Sequence, residues 1–196
     1  MLHVITGSMA GGKSSKLVDY TEMFQQQGKI FQVFYPAFLE KETDYVVSRE
    51  DNKKVRATKV YKIGELYNLV KSNTDVIIID EVSFMCNESE IDELMSTLEH
   101  FDKLGKQIYL FGIALDYSAK SFPIMQRLLP YADTVIVLHA KCDICGEPAY
   151  RCVRYQNGVL DLDPNSDLLQ MESDNVRYEI LCKDCYRKIT NTPAIK

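Results

Sequence analysis

The sequence predicts an α/β protein in which helices flank a parallel sheet and a small metal-stabilised unit follows at the C-terminal end. Short apolar runs typical of buried strands alternate with segments whose apolar residues recur at helical spacing, which predicts the sheet. Two Cys-x-x-Cys pairs stand in a final stretch with little helical periodicity, which predicts the second unit. The pattern changes near residue 140, so we expect one domain over 1–140 and another over 141–196.

The first elements follow from local patterns. Leu2 to Thr6 is a mostly apolar run that ends at a glycine, as a buried strand entering a turn does. We expect a helix from Lys13 to Gln27, with Gly28 ending it, and a second strand from Ile30 to Tyr35. Residues 36–54 begin with proline, carry many charges and have no steady period, so we expect a loop there.

The remaining elements of the first domain begin at residue 76. Val76 to Asp80 is apolar at every position before the aspartate, which is typical of a strand covered on both faces. There follow a helix over Glu88 to Leu104, a strand over Gln107 to Gly112, a helix around Ile124 to Leu129 and a strand over Thr134 to Leu138. This alternation favours βαβ units and therefore a parallel sheet.

A phosphate-binding pattern lies between the first strand and the first helix. The segment Gly-Ser-Met-Ala-Gly-Gly-Lys-Ser fits G-x-x-x-x-G-K-[ST], whose glycines let backbone N–H groups turn toward an anion at a helix N-terminus. We expect Lys13 to reach the outer phosphates of ATP and the Ser14 hydroxyl to bind Mg²⁺. The fold is then that of a P-loop NTPase with a RecA-like sheet. The predicted phosphate-binding residues are Gly7, Ser8, Met9, Ala10, Gly11, Gly12, Lys13 and Ser14.

Two carboxylates end the apolar strand at residue 80. In a P-loop fold this is where the carboxylate that holds Mg²⁺ stands, so we assign that role to Asp80. Neighbouring residues at a strand end point in different directions, which leaves Glu81 available for proton transfer. The alternative is a solvated pair that caps a helix.

Four of the six cysteines form two spaced pairs, Cys142 with Cys145 and Cys182 with Cys185. Four thiolates close a tetrahedral Zn²⁺ site, so the predicted role is structural. Buried free thiols and an iron–sulfur cluster are the alternatives. Cys86 and Cys152 are expected to be small buried residues.

Charge and hydropathy restrict the partners. The formal net charge is −5, which disfavours a nucleic acid partner. No apolar run approaches the roughly 18 residues that a membrane helix needs, and the chain opens into a strand without a charged leader. We therefore expect a cytoplasmic protein with no membrane partner and with reduced cysteines.

Taken together and in this order, the motifs resemble the type II thymidine kinases, a family with a P-loop domain and a zinc-bearing lasso domain. The resemblance covers nearly the whole chain. It implies ATP-dependent phosphorylation of the 5′-hydroxyl of thymidine or a related pyrimidine deoxynucleoside, with ATP, Mg²⁺ and structural Zn²⁺, in a homotetramer. The marks of the family are Gly7 to Ser14, Asp80-Glu81-x-x-Phe84, the segment Gly112 to Phe122, Leu138-x-Ala140-x-Cys142-x-x-Cys145-Gly146 and Tyr178-x-x-x-Cys182-x-x-Cys185.

The resemblance also implies residue roles. Glu81 corresponds to the general base that accepts the proton of the sugar hydroxyl. The base of the nucleoside is expected to bind main-chain groups from about Leu169 to Tyr178. The implied nucleoside-binding residues are Met9, Phe84, Tyr117, Phe122, Cys152, Leu169, Met171 and Tyr178.

The chain departs from the family pattern at several positions. Ala114 replaces an acidic residue, Ser118 and Asp44 replace arginines, and Ser173 and Asp174 replace two small residues. Cys152 replaces a threonine beside the 5-substituent of the base, and Lys41 lies near the lost arginine at Asp44. These departures keep open a nucleotide-binding regulatory or degenerate module without turnover. A third reading, an ATPase that uses its zinc ribbon on nucleic acid, is opposed by the acidic balance.

Overall fold

The fold consists of a parallel sheet with its helices, followed by smaller antiparallel sheets. The computed structural model describes residues 1–39, 44–48, 51–163, 166, 170 and 173–191. Up to residue 112 the elements are β1 (Leu2–Gly7), α1 (Lys13–Gln26), β2 (Phe31–Pro36), β3 (Tyr45–Val47), β4 (Lys54–Arg56), β5 (Thr58–Val60), α2 (Leu66–Leu69), β6 (Val76–Ile79), α3 (Ile91–Lys103) and β7 (Gln107–Gly112). After it come α4 (Pro123–Tyr131), β8 (Thr134–Leu138), β9 (Ala140–Lys141), β10 (Pro148–Ala149), β11 (Arg151–Gln156), β12 (Val159–Leu160), β13 (Val176–Leu181) and α5 (Lys183–Thr190).

The predicted parallel sheet is confirmed. Its six strands have the order β5-β2-β6-β7-β1-β8, and every neighbouring pair is parallel. Because the strands are parallel, their carboxyl ends meet at one edge. The ends of β1 and β6 lie there with only β7 between them.

Strand β6 shows why this sheet is buried on both faces. Val76 and Ile78 belong to the core under α1, whereas Ile77 and Ile79 belong to the core under α3 and α4. All four side chains are at most 1% exposed. The apolar run is uninterrupted because a strand that is packed on both faces needs an apolar side chain at every position.

The long helices begin and end close to their predicted positions. Helix α3 is preceded by a 3₁₀ turn over Glu88–Glu90. There the Asn87 side chain accepts from Ser89 N, and the Glu90 carboxylate accepts from Asn87 N at 3.0 Å, forming a capping box. Such a cap stabilises a helix start by about 1 kcal/mol. The helix stops at Gly105, whose φ of 78° a side chain would oppose.

The loop predicted over 36–54 is wrong in part. Ala37–Leu39 form a 3₁₀ turn, and β3 and β4 form an antiparallel hairpin that packs against α1. Ser48, at the end of β3, hydrogen-bonds Ser15 of α1 at 3.1 Å. The strands are only three residues long, too short for a period to be recognised. Strand β5 at the sheet edge was not predicted, for the same reason.

The C-terminal sheets are small and antiparallel. Strands β12 and β13 flank β11, and β9 pairs with β10. The β11–β12 turn is Asn157-Gly158, with φ of 51° and 77°, as a two-residue hairpin turn requires. These elements share a buried group that we call the C-terminal cluster, made of Tyr117, Cys142, Ala149, Cys152, Val153, Ile180, Leu181, Cys185 and Tyr186.

Within the described ranges, none of the helices has both the length and the apolar character that crossing a bilayer requires.

Candidate functional site

The glycine-rich loop begins where β1 meets β8. A Cβ atom on Gly7 would lie 2.4 Å from the carbonyl oxygen of Leu138, so only glycine fits there. Ala10 and Gly12 have φ of 55° and 80°, and Gly12 opens α1 at Lys13. The loop therefore turns back on itself through residues in the left-handed region.

The ammonium group of Lys13 lies inside this loop. The side chain is 8% exposed, and Nζ donates to the Ser8 carbonyl oxygen at 2.7 Å, an oxygen that also accepts from Gly11 N at 3.2 Å. Gly12 contributes no side-chain cap to the first turn of α1. A helix N-terminus without a side-chain cap and with a buried ammonium beside it suits a phosphate group.

Asp80 and Glu81 follow β6 at the same edge of the sheet. Asp80 is 1% exposed, and its N–H donates to the Phe34 carbonyl oxygen at 2.8 Å. Glu81 is half-buried and has φ of 55° and ψ of 39°. A left-handed conformation in a residue other than glycine costs about 1–3 kcal/mol and is concentrated at functional sites. The backbone strain adds a structural observation to the role that the sequence had already given Glu81.

The turn that carries Glu81 is held against the end of β7. Ser83 Oγ donates to the Ile113 carbonyl oxygen at 2.7 Å. A Cβ atom on Gly112 would lie 2.5 Å from the same Oγ, so the two segments approach as closely as glycine allows. This contact fixes the position of the backbone from which the Glu81 side chain extends.

Of the expected nucleoside residues, Phe84 follows Glu81 in the same turn, and Phe122 lies against Phe84. The rings of Phe84 and Phe122 meet edge to face with centroids 5.1 Å apart, and Phe38 meets Phe84 at 6.4 Å. Phe122 is 4% exposed and belongs to the core under α3 and α4. These rings form an apolar wall near the end of the sheet.

Four other expected residues gather at the C-terminal cluster. Tyr117 and Cys152 are members of it, and Met9 and Tyr178 pack against it. The Tyr117 hydroxyl donates to the Asp163 carbonyl oxygen at 2.9 Å, and the Tyr178 hydroxyl donates to that of Gln170 at 2.9 Å. Burial, the largest cause, raises the pKa of both tyrosines, so both hydroxyls remain donors at neutral pH.

Cys152 is a neutral thiol in this environment. Burial, followed by the Asp116 carboxylate, raises the pKa of Cys152 to about 12, although Lys13 and Arg154 act in the opposite direction. The side chain is 6% exposed. It therefore acts as a small, weakly polar surface and not as a nucleophile.

One turn joins the two groups of aromatic residues. Phe122 N donates to the Ala114 carbonyl oxygen at 3.1 Å. At the tip, Asp116 Oδ1 accepts from the N–H and the hydroxyl of Ser118, both at 2.8 Å, and from Lys120 N at 2.9 Å. Ser118 therefore stabilises the turn, which carries Tyr117 to one group and Phe122 to the other.

Four residues named from the sequence lie outside the part of the chain that the structure describes, and one departure from the family pattern lies inside it. Leu169 and Met171 lie outside the described residues, as do Lys41 and Glu42. Asp44 is described and lies 3.5 Å from the Lys59 ammonium, in a partly exposed ion pair.

The site also contains a charged pair that no sequence pattern marked. Arg154 lies on β11 with no exposed surface, and it forms an ion pair with Asp161. A charged residue in a short strand is ordinarily assigned to the surface. Only the packing reveals that this one is buried.

The four predicted zinc ligands come together. The sulfur atoms of Cys142, Cys145, Cys182 and Cys185 all lie within 4.8 Å of one another. Cys145 Sγ is 3.6 Å from those of Cys182 and Cys185. Tetrahedral zinc with bonds of about 2.3 Å separates its sulfur ligands by about 3.8 Å, so the arrangement fits Zn²⁺.

The surroundings shift the pKa values of these thiols in opposite directions. Burial, the largest cause, and the neighbouring thiols raise the pKa of Cys185 to about 12. For Cys142, burial acts upward, but backbone hydrogen bonds from the two knuckles outweigh it and lower the pKa to about 6. Four thiolates this close repel one another, and a divalent cation removes that repulsion.

Comparison with known proteins gives one consistent result. The family model described as thymidine kinase matches residues 1–186. The chain is similar to a thymidine kinase of Bdellovibrio bacteriovorus, with 26% identity over 194 residues, covering 99% of this chain and 89% of the relative. It is also similar to a thymidine kinase of Mycoplasma genitalium, with 31% identity over 181 residues, covering 92% of this chain and 80% of the relative.

Proposed function

Because the chain belongs to the thymidine kinase family, we propose that it transfers the γ-phosphoryl group of ATP to the 5′-hydroxyl of thymidine or a related pyrimidine deoxynucleoside. The observation that carries the proposal is the half-buried carboxylate of Glu81. It is held in a strained backbone conformation at the sheet edge where the glycine-rich loop begins. A group kept at such a cost suits a chemical role.

We assign the phosphates of ATP to the loop from Gly7 to Ser14. The first-turn amides of α1 and the Lys13 ammonium would bind the phosphate oxygens, and Lys13 would exchange the Ser8 carbonyl oxygen for a phosphate. Ser14 and Asp80 offer a hydroxyl and a buried carboxylate, the hard oxygen donors that Mg²⁺ prefers. When bound, Mg²⁺ supplies charge neutralisation at the β- and γ-phosphates.

Glu81 then acts as the general base. Its carboxylate accepts the proton of the 5′-hydroxyl as that oxygen forms a bond to the γ-phosphorus. The bond from phosphorus to the β-phosphate oxygen breaks, and ADP leaves with the electron pair. Positioning and charge account for most of the rate, since the transferred group needs no covalent partner on the protein.

We propose that the nucleoside lies between the two groups of aromatic residues. Phe84 and Phe122 would cover one side, and Met9, Tyr117, Cys152 and Tyr178 the other. Leu169 and Met171 remain assigned to this pocket by the family resemblance alone. Flat apolar walls of this kind suit a pyrimidine ring.

The family match does not favour the alternative of a nucleotide-binding module without turnover. A direct assay separates the two. We expect the protein with Mg²⁺ and radiolabelled ATP to label thymidine within a panel of pyrimidine deoxynucleosides, and Glu81→Gln to lower kcat by about a hundredfold or more. Because glutamine and glutamate have nearly the same size, the substitution leaves the pocket intact and removes only the general base.

The control for this assay is Glu88→Gln, which makes the same change at an exposed residue of the 3₁₀ turn before α3. Its kcat should equal that of the unchanged protein. Folded protein that binds ATP but labels no nucleoside would contradict the proposal and support the module without turnover. Full activity of Glu81→Gln would contradict the role of Glu81.

The remaining assignments follow the same proposal. We propose two domains, 1–140 and 141–196, since β9, which spans the boundary, and β10 to β13 after it share no sheet with the central strands. We propose that the cysteine site binds structural Zn²⁺, and because this needs reduced thiols it supports a cytoplasmic location. A homotetramer is supported by edge strand β8, where Val135 and Val137 are 41% and 49% exposed. Sedimentation analysis tests it.

A further inference from the structure

Arg154 is a fully buried charge in the second sheet of the molecule. It lies in β11, paired with Tyr178 of β13, and none of its surface is exposed. Removing a guanidinium group from water is costly unless its N–H groups find acceptors. Its partners therefore show what the buried charge holds in place.

The first partner is Asp161. Arg154 Nε and Nη2 both donate to Asp161 Oδ2, at 2.9 and 2.6 Å, and the carboxylate side chain is 5% exposed. The same oxygen accepts from Gln156 Nε2 at 2.7 Å. The other oxygen accepts from Ser166 Oγ at 3.0 Å and from Asp163 N at 3.1 Å. Arg154 thus fixes the carboxylate that organises Asp163 and Ser166.

The second partner is Tyr117. The guanidinium carbon lies 3.8 Å from the centroid of the tyrosine ring, in a cation–π contact. The hydroxyl of the same tyrosine donates to the carbonyl oxygen of Asp163, whose own N–H bonds to Asp161. Tyr117 is therefore fixed at its ring by Arg154 and at its hydroxyl by the segment that Asp161 organises.

The third partner is Tyr178. Its hydroxyl interacts with Arg154 by a hydrogen bond and donates to the carbonyl oxygen of Gln170 at 2.9 Å. A single guanidinium group consequently contacts both tyrosines that face the proposed nucleoside pocket. The same group also anchors Asp161, which lies between these two tyrosines in the sequence.

We propose that Arg154 is a positioning residue for the nucleoside, which it does not touch: it fixes Tyr117, Tyr178 and Asp161 in the arrangement that binds the substrate. This inference rests on the proposed function. A planar group is required at this position. Its face stacks on the ring of Tyr117, while the N–H groups at its edge interact with Asp161 and Tyr178. Lysine provides a charge but neither feature.

The test separates positioning from folding. Replacing Arg154 alone leaves the Asp161 charge buried without its partner, so the informative variant is the pair Arg154→Met with Asp161→Leu, which removes both charges. We expect its KM for thymidine to rise about tenfold or more, while its KM for ATP changes by less than about twofold. A structural role alone would lower the active fraction, and so kcat, without separating the two KM values.

The matched control lies on the same sheet. Arg177 also forms an ion pair with a carboxylate, Glu179, and also lies over a ring, that of Tyr155 at 4.8 Å, but it is 64% exposed. Arg177→Met with Glu179→Leu should leave both KM values unchanged. If the buried double variant does not fold, Arg154→Lys and Tyr117→Phe test the same inference. Both should raise the KM for thymidine and leave the KM for ATP unchanged.

The outcomes are distinct. An unchanged KM for thymidine in the folded buried double variant, or in Arg154→Lys together with Tyr117→Phe, overturns the inference while the kinase proposal stands. Equal rises in both KM values overturn it as well. No thymidine phosphorylation by the unchanged protein defeats the proposed function and this inference with it. A selective rise in the KM for thymidine supports both.

Discussion

Cys152 shows at the scale of a single residue how the surroundings set the chemistry of a side chain. Its thiol is buried and interacts electrostatically with the Asp116 carboxylate and with the cations of Lys13 and Arg154. Burial is the largest influence, and the pKa is raised from 9.0 to about 12. At neutral pH Cys152 therefore offers the proposed pocket an uncharged sulfur at the position where the resembled family has a threonine hydroxyl.

This shift predicts a pH dependence of stability. A thiol whose pKa is raised on folding ionises first in the unfolded chain, so the free energy of unfolding falls as the pH rises from 9.0 toward about 12. Cys152→Ala removes this contribution. Urea unfolding of both proteins should therefore give a stability difference that is constant below about pH 8 and shrinks above the unfolded pKa. Parallel curves throughout would show that the thiol is not desolvated.

At the scale of elements, the first strand and the loop after it form one unit with β8. The main chain of Gly7 lies against Leu138, and the register between β1 and β8 brings this about by pairing the two residues. The phosphate loop therefore depends on a strand that lies more than a hundred residues further along the chain. The shape of the phosphate loop is therefore set both by its own glycines and by the pairing of β1 with β8.

Gly7→Ala tests that dependence. The added Cβ would meet the Leu138 carbonyl oxygen at 2.4 Å, so the strands must separate. We expect a loss of about 1–3 kcal/mol in the free energy of unfolding, together with weaker ATP binding measured by calorimetry. Gly64→Ala is the matched control, because the nearest atom to its added Cβ would be Glu93 Oε1 at 3.5 Å. It should stay within about 1 kcal/mol of the unchanged protein.

At the scale of the whole molecule, the cysteine site and the proposed nucleoside pocket share one core. Cys142 and Cys185 belong to the C-terminal cluster together with Tyr117 and Cys152. A core this small needs a further constraint to be stable, and a metal bound to four thiolates supplies one. Ser8 Oγ also donates to the Ala149 carbonyl oxygen, at 3.4 Å, which ties the phosphate loop to the same unit.

Removing the metal should therefore impair the binding of thymidine more than the binding of ATP. We expect about one Zn²⁺ per chain by elemental analysis. In Cys182→Ser we expect amide hydrogen exchange to increase through β9 to β13 while the central strands stay protected. Thymidine binding should be lost, and ATP binding should weaken less. A metal-free protein with an unchanged exchange pattern would contradict the zinc assignment.

Much of the fold could be predicted because its signals are local. The spacing of glycines and lysine from Gly7 to Ser14, the apolar run before Asp80 and the periodic helices each lie within a short window of the chain. Short elements gave too few residues for a period, so the hairpin of β3 and β4 and edge strand β5 were missed. The grouping of the four cysteines could be predicted because their spacing forms a recognisable motif.

The sequence by itself determined the parallel sheet, and it predicted the phosphate loop and the four metal ligands, since each depends on residue types at fixed spacing. Only the tertiary structure decided that Glu81 is held in the left-handed region, that Arg154 is buried and that Tyr117 and Phe122 belong to different cores. The physical reason is that strain, desolvation and packing arise from contacts between segments distant in the chain. No local pattern records such contacts.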